Sequence, residues 1–175
     1  MTNLSPDSVL FGGMVAAAAT EYVGSPYVSH ADAVRCGAQL KTYPACMESS
    51  LDERGFDCSG LVIRAISDVI RLQPDEWAED VRHVAQMAHH GSRVSVREMQ
   101  QGHMYPGLLL VFNHRLGDLH IASTHVSVYV GEEQMVHARS KGDDTVALET
   151  TAVRGTTKSL AFAVDPFSLV QKGLS

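Results

Sequence analysis

The sequence predicts an α+β domain in which helices come first and an antiparallel sheet follows. Apolar residues recur at helical spacing over much of the first 90 residues. From about residue 108 onward they alternate with polar residues or form short apolar runs. The chain has 175 residues, of which 45% are hydrophobic and 19% charged, which suits one domain with its own core over residues 1–175. Helices followed by strands, rather than alternating with them, are typical of α+β proteins.

The first element is a helix predicted over residues 7–23. Its apolar stretch at residues 9–19 has no Lys or Arg before it, so we interpret the stretch as a buried helix and not as a secretory leader. Gly24 and Pro26 follow in the order that usually ends a helix.

Residues 28–56 form a long insert without a clear hydrophobic period. Loops of this length are often functional lids, and this one ends just before Cys58. Cys36 and Cys46 lie within it, and the chain has three cysteines in all, so at least one thiol has no partner within the chain. Either Cys36 and Cys46 form a disulfide that leaves Cys58 free, or all three thiols are reduced.

Two further helices are predicted after the insert. One begins at Cys58 and extends to about residue 72, with apolar residues at helical spacing along one face. The other covers residues 74–90, where apolar residues recur at i, i+4, i+7 and i+11. Acidic residues come early in this segment and two histidines come late, as the helix dipole favours.

The second half of the chain contains five predicted strands. Alternation is clearest at residues 125–130, and the apolar run at residues 108–112 indicates a buried strand. The others are predicted at residues 134–138, 145–150 and 160–164. Together they would form a central antiparallel sheet on which the N-terminal helices pack.

Charge and composition argue against several classes of function. A net charge of −6 disfavours nucleic acid or an anionic membrane as the main partner. No apolar run is long enough for a transmembrane helix. Among nine histidines, the adjacent pair His89 and His90 lacks the one-face spacing of helical metal ligands, and no second cluster has ligand spacing. No metal and no other cofactor is therefore predicted.

Cys58 is the strongest candidate for a reactive group. Asp57 is a typical N-cap residue and places the thiol at the start of a helix, where backbone N–H groups and the dipole favour an anion. A thiol in that position is expected to tend toward thiolate, the nucleophilic form. The alternative is a small buried core cysteine, which free cysteine often is.

His125 and His137 are predicted to share one face of a β-hairpin. A three-residue loop at residues 131–133 would place Ser127 opposite His137 and put His125 one diagonal step away. An even-length loop would instead put the two histidines on opposite faces. Neighbouring imidazoles need partners when buried, so the pair suits a base and the group that orients it.

Four segments, taken in order, resemble the NlpC/P60 family of papain-like cysteine peptidases. Residues 24–27 resemble the family's Gly-Thr-Pro-Tyr turn, and residues 56–62 match its Phe-Asp-Cys-Ser-Gly-Leu-Val motif nearly unchanged. Residues 125–131 resemble the strand that carries the base, and residues 135–138 the strand that carries the third catalytic residue. The resemblance spans roughly residues 15–164.

The resemblance implies a papain-like NlpC/P60 fold and a role for each matching residue. Cys58 would be the nucleophile, His125 the general base and His137 the orienting residue. The substrate-binding residues that it implies are Tyr27, Asp57 and Ser59. Tyr27 would help to stabilise the oxyanion.

Family members usually cut peptidoglycan stem peptides, commonly between D-γ-glutamyl and the diamino acid at the third position. The resemblance therefore implies a cofactor-independent endopeptidase that forms a thioester and acts at the cell wall, in the periplasm or outside the cell. Because no leader is evident, we expect delivery by phage lysis, by a secretion system, or as a trimmed mature domain. Other activities of the same scaffold are a wall amidase and an acyltransferase, and a non-catalytic wall-binding module is the alternative of another class.

The sequence departs from the family pattern at two places, and the first of them bears on substrate access. The insert at residues 28–56 is far longer than the glycine-rich stretch that usually precedes the cysteine. The family's Pro-Gly-Asp before the next strand is replaced by Pro106, Gly107 and Leu108. We therefore expect the insert to decide which substrates reach Cys58.

Overall fold

The computed structural model describes residues 5–27, 56–116, 119–138, 145–151 and 160–175. Nearly all of the predicted insert, with Cys36 and Cys46, lies outside these ranges. The predictions about that lid and about a disulfide therefore stay predictions.

The described residues contain six α-helices and one short 3₁₀ helix. Their bounds are Pro6–Glu21 (α1), Cys58–Ile70 (α2), Pro74–Trp77 (α3), Glu79–Val81 (the 3₁₀ helix), Val84–His90 (α4), Val96–Gln100 (α5) and Pro166–Gly173 (α6). The first predicted helix and the Cys58 helix are confirmed, and each ends within about two residues of the predicted limit. None of the helices in the described ranges is long and apolar enough to span a bilayer.

The single helix predicted over residues 74–90 is wrong, because the chain breaks there into α3, the 3₁₀ helix and α4. His83 leaves helical geometry at φ −112° and ψ 152° and becomes the N-cap of α4. Trp77, Val81 and Met87 are all buried in one core cluster. The extended backbone of His83 interrupts the helix between Val81 and Met87, and the residues on both sides of the break still pack into that core.

Six strands form one antiparallel sheet in the order β1-β6-β2-β3-β4-β5. Their bounds are Arg93–Ser95 (β1), Leu109–Leu116 (β2), Leu119–Gly131 (β3), Gln134–Ala138 (β4), Val146–Thr150 (β5) and Leu160–Val164 (β6). The five predicted strands are confirmed, although β2 and β3 are longer than predicted. The elements β1, α5 and α6 were not predicted.

Apolar clusters cover both faces of the sheet. Along β2, Leu109 and Val111 belong to the larger cluster, and Leu110 between them belongs to a smaller one. The larger cluster also contains buried residues of α1 and α2, so the N-terminal helices pack on this face as predicted. This packing sets the position of the α2 N-terminus relative to β3.

Two glycines let α1 touch the turn before β2 through the backbone. Gly107 has a φ of +95°, and a Cβ added there would lie 2.0 Å from the carbonyl oxygen of Gly12. A Cβ on Gly12 would lie 2.5 Å from the carbonyl oxygen of Pro106. Side chains at these positions would force α1 away from the sheet.

Candidate active site

Cys58 is the first residue of α2, and Asp57 caps that helix. One carboxylate oxygen of Asp57 accepts the backbone N–H of Gly60 at 2.6 Å and the hydroxyl of Ser59 at 3.0 Å. Asp57 and Ser59 are both buried. Their side chains therefore hold the start of α2 in place, and the substrate contacts implied for them stay predictions.

Burial raises the pKa of the Cys58 thiol from 9.0 to about 11, and the Asp57 carboxylate adds to the rise. The backbone N–H groups of Val126, Ser59 and Cys58 lie against the sulfur and act in the opposite direction, but their effect is smaller. The expectation of a thiolate at the helix start is wrong here. Removal from water outweighs the backbone donors, so the thiol is protonated at neutral pH.

His125 on β3 and His137 on β4 lie on one face of the sheet, as predicted. Nε2 of His125 and Nδ1 of His137 are 2.9 Å apart, a hydrogen bond between the rings. The ring centroids are 5.1 Å apart with the planes at 77°. Val128 pairs with Val136, and this register continues to Ser127 opposite His137.

The hairpin reaches this register by a route that the sequence analysis did not predict. Gly131 pairs with Gln134, so the loop has two residues, Glu132 and Glu133, and not three. Both have positive φ, 50° and 60°, as in a type I′ turn. A bulge between Tyr129 and Gly131 supplies the additional residue, so the two histidines still share a face.

Burial, with a further effect of the neighbouring His137, lowers the pKa of His125 from 6.5 to about 4. The carboxylates of Glu149 and Asp57 act in the opposite direction. His125 is therefore neutral at neutral pH and able to accept a proton. Because Nε2 is bonded to His137, Nδ1 is the nitrogen left for a proton donor.

The backbone of Val126 connects the thiol to the base. Its N–H lies against the sulfur of Cys58, and the preceding residue in β3 is His125. Within the described ranges, no hydrogen bond joins the thiol directly to the His125 ring. The site thus holds a neutral thiol near a neutral imidazole, two groups that can exchange a proton when a substrate is attacked.

Tyr27 is brought to the start of α2 by a short parallel bridge to Phe56. The backbone N–H of Phe56 donates to the carbonyl of Pro26 at 2.9 Å. The Tyr27 side chain is half-buried against the larger core cluster. Since Phe56 comes two residues before Cys58, the bridge joins the backbone of Tyr27 to the chain just ahead of the candidate nucleophile.

Glu149 on β5 is a site residue that the sequence analysis missed. Its Oε2 lies 3.1 Å from Nε2 of His137, a distance typical of an ion pair, although the alignment falls short of a hydrogen bond. Alternation along residues 145–150 places Ala147 and Glu149 on one face. Only the pairing of β4 with β5 shows that this face carries His137.

The site is built from one thiol, two imidazoles and two carboxylates. Such a set suits nucleophilic attack with proton transfer through an imidazole. In the part of the chain that the structure describes, no group of three or more His, Cys, Asp or Glu side chains could hold a metal ion.

Two comparisons with known proteins connect this geometry to a family. The model of the NlpC/P60 family matches residues 43–161, about two thirds of the chain. The match includes Cys58, His125 and His137. No curated protein is significantly similar to the chain.

Solved structures with the same fold come from several sources. NlpC1 from Trichomonas vaginalis has a TM-score of 0.57 at 19% identity, covering 94% of this chain and 45% of that one. The peptidoglycan hydrolase RipB from Mycobacterium tuberculosis has a TM-score of 0.56 at 21% identity, covering 93% and 68%. The NlpC/P60 domain of the peptidoglycan hydrolase SagA has a TM-score of 0.53 at 24% identity, covering 87% and 97%.

The chain thus spans less than half of the Trichomonas protein and nearly the whole of the SagA domain. At these identities, the likeness to solved structures shows the fold. That fold is the papain-like NlpC/P60 fold, as the sequence resemblance predicted.

Proposed function

Because the chain belongs to the NlpC/P60 family, we propose that it is a cysteine peptidase that hydrolyses amide bonds in peptidoglycan stem peptides. The observation that carries the proposal is the hydrogen-bonded pair of His125 and His137 near the half-buried thiol of Cys58. RipB and SagA are both peptidoglycan hydrolases, which supports the substrate class. The proposed scissile bond joins D-γ-glutamate to the diamino acid at the third position.

The proposed reaction starts from the neutral pair. The sulfur of Cys58 attacks the amide carbonyl while its proton passes to Nδ1 of His125, so no stable thiolate has to form first. The backbone N–H of Cys58 at the helix start is the proposed oxyanion donor. His125 then gives its proton to the amide nitrogen, the C–N bond breaks, and the acyl group remains on sulfur as a thioester.

Water completes the proposed cycle. His125, again neutral, removes a proton from a water molecule that attacks the thioester carbonyl. The C–S bond breaks, the sulfur recovers a proton, and the acid product leaves. His137 holds the ring of His125 in place through both steps by the bond at Nε2. No cofactor is needed.

We further propose that residues 1–175 act as a single catalytic domain at the cell wall, in the periplasm or outside the cell. Tyr27, Asp57 and Ser59 would contribute to the substrate cleft near Cys58. Tyr27 is the best placed of the three for direct contact, because the side chains of the other two are buried in the helix cap.

Digestion of purified peptidoglycan tests the proposal. The protein should release fragments whose masses locate the cut at one bond of the stem peptide, and Cys58→Ala should abolish release while its circular dichroism spectrum stays unchanged. Fragments cut at the sugar–peptide amide would indicate a wall amidase, and products carrying a transferred acyl group would indicate an acyltransferase. Equal digestion by Cys58→Ala and the parent would rule out the cysteine mechanism.

A further inference from the structure

We propose that Glu149 is a positioning residue, which acts through His137 to hold His125 in the tautomer that accepts a proton at Nδ1. The kinetic consequence of this role rests on the proposed peptidase function. The geometric argument uses only the three side chains and stands without it.

The first step concerns the buried ring nitrogen of His137. Its Nε2 is shielded from water, and the whole side chain is only 10% exposed. Among the described residues, this nitrogen makes no hydrogen bond, and the carboxylate of Glu149 at 3.1 Å is the polar group that faces it. An ionised carboxylate can only accept, so the ring nitrogen beside it is the one that carries hydrogen.

The second step follows from the two rings. With hydrogen on Nε2, a neutral His137 has its lone pair on Nδ1, which lies 2.9 Å from Nε2 of His125. That hydrogen bond then requires the hydrogen of His125 to be on Nε2. The lone pair of His125 is consequently on Nδ1, where a proton from Cys58 is to be received.

Strand register explains why the residue is a glutamate. Ala147 lies directly opposite His137, and Glu149 is two residues further along on the same face. Diagonal neighbours of this kind are about 7–8 Å apart, a span that a long side chain can cross. The small side chain of Ala147 leaves the path open, and an aspartate at position 149 would be shorter by one methylene.

Charge contributes a separate effect. The groups that act electrostatically on His125 are His137, which disfavours its protonated form, and the carboxylates of Glu149 and Asp57, which favour it. Glu149 is 35% exposed, so solvent screens part of its influence. Glu149→Gln keeps the size of the side chain but removes the charge, and its amide can donate as well as accept. The glutamine therefore no longer selects one tautomer.

The primary test is nitrogen NMR of histidine-labelled protein, which reports the tautomer of each ring without any substrate. In the parent, His125 and His137 should both carry hydrogen on Nε2. In Glu149→Gln both rings should show mixed tautomers. The matched control is Glu132→Gln, which removes an exposed carboxylate at the hairpin turn just after β3, seven residues after His125 in the sequence, and should leave both rings unchanged.

The kinetic test uses the pH profile of kcat/KM on a peptidoglycan fragment. Glu149→Gln should lower kcat/KM about tenfold, equivalent to about 1.4 kcal/mol of transition-state stabilisation, mainly through kcat. The acid limb of the kcat/KM profile of this variant should move to lower pH. A defect in folding alone would not move that limb. Glu132→Gln should match the parent.

The outcomes separate the two proposals. Tautomers and pH profile both unchanged in Glu149→Gln would overturn the role of Glu149, even if the parent digests peptidoglycan. Mixed tautomers in a protein that digests no peptidoglycan would support the positioning role and overturn the proposed substrate.

Discussion

The reaction of Cys58 with iodoacetamide at different pH values tests the central property of the site, its uncharged resting state. Thiolate is the form that reacts. With a pKa of about 11, the thiolate fraction at pH 7 is about 10⁻⁴. At the ordinary pKa of 9.0 the fraction would be about 10⁻². Cys58 should therefore react about a hundredfold more slowly at pH 7 than an exposed cysteine.

The dependence of the alkylation rate constant on pH distinguishes two possible resting states of Cys58. For a protonated thiol near a neutral imidazole, the rate constant should rise about tenfold for each pH unit between about pH 6 and 10. It should level off only near pH 11, the pKa of the thiol. A preformed thiolate–imidazolium pair would instead give a plateau through the neutral range, because the thiol would already be ionised there.

Mass spectrometry can follow the alkylation of Cys58 alone. Replacing Cys36 and Cys46 by serine leaves one thiol in the chain, and adding Cys58→Ala gives the background. A cysteine-containing peptide provides the reference profile for an exposed thiol. A rate constant at pH 7 within about threefold of that at pH 9 would refute the reasoning, since two pH units should change the thiolate fraction about a hundredfold.

The remaining predictions concern stability and the roles of the histidines. Gly12→Ala should lower the free energy of unfolding by about 2–3 kcal/mol, because its Cβ would meet the Pro106 carbonyl. Gly13→Ala should raise the free energy of unfolding by about 0.5–1 kcal/mol, because nothing lies within 4 Å of the new Cβ. Urea denaturation of both variants measures the two changes. His125→Ala should reduce kcat/KM about 10²–10⁴-fold. His137→Ala should reduce it less, because an orienting group is more replaceable than a proton carrier. A greater loss in His137→Ala would reverse the two roles. The free energy of unfolding should fall by about 2–3 kcal/mol as the pH decreases from 6.5 to 4, because unfolded His125 takes up a proton that the folded protein rejects. It should fall again between pH 9 and 11, where the unfolded chain loses a proton that folded Cys58 retains. Denaturation of His125→Gln should lack the fall at acid pH. Cys58→Ala should show a smaller fall at alkaline pH, because burial also raises the pKa of Tyr22 and Tyr105 in the folded protein.

The parts of the fold that could be predicted are those whose signal is local. The α2 helix shows both an N-cap residue and a regular apolar face, and β6 is a short apolar run with its predicted bounds. The break between α3 and α4 could not be predicted, since apolar residues keep helical spacing on both sides of it. The extended backbone of His83 interrupts the helix, and residues 75–90 contain no glycine or proline that would mark that position.

In the candidate site, too, some features could be predicted from the local sequence and others could not. The place of Cys58 at a helix start follows from its motif, which is local. The shared face of His125 and His137 is predicted with a three-residue loop, whereas a two-residue turn and a bulge produce it in the structure, and strand alternation alone does not determine that register. The raised pKa of the thiol follows from burial, which the sequence around Asp57 does not report. Glu149 depends on the pairing of two strands across residues 139–144, and no residue pattern sets that register.

The place of β6 in the sheet has a consequence for the synthesis of the protein. β6 is the last strand of the described chain, yet it lies between β1 and β2. Until Leu160–Val164 has left the ribosome, β1 lacks its partner in the described sheet and one edge of β2 stays open. Open edges invite pairing with other chains. A nascent or truncated chain that ends before β6 is therefore expected to aggregate and to stay inactive, although it already contains every residue proposed for catalysis.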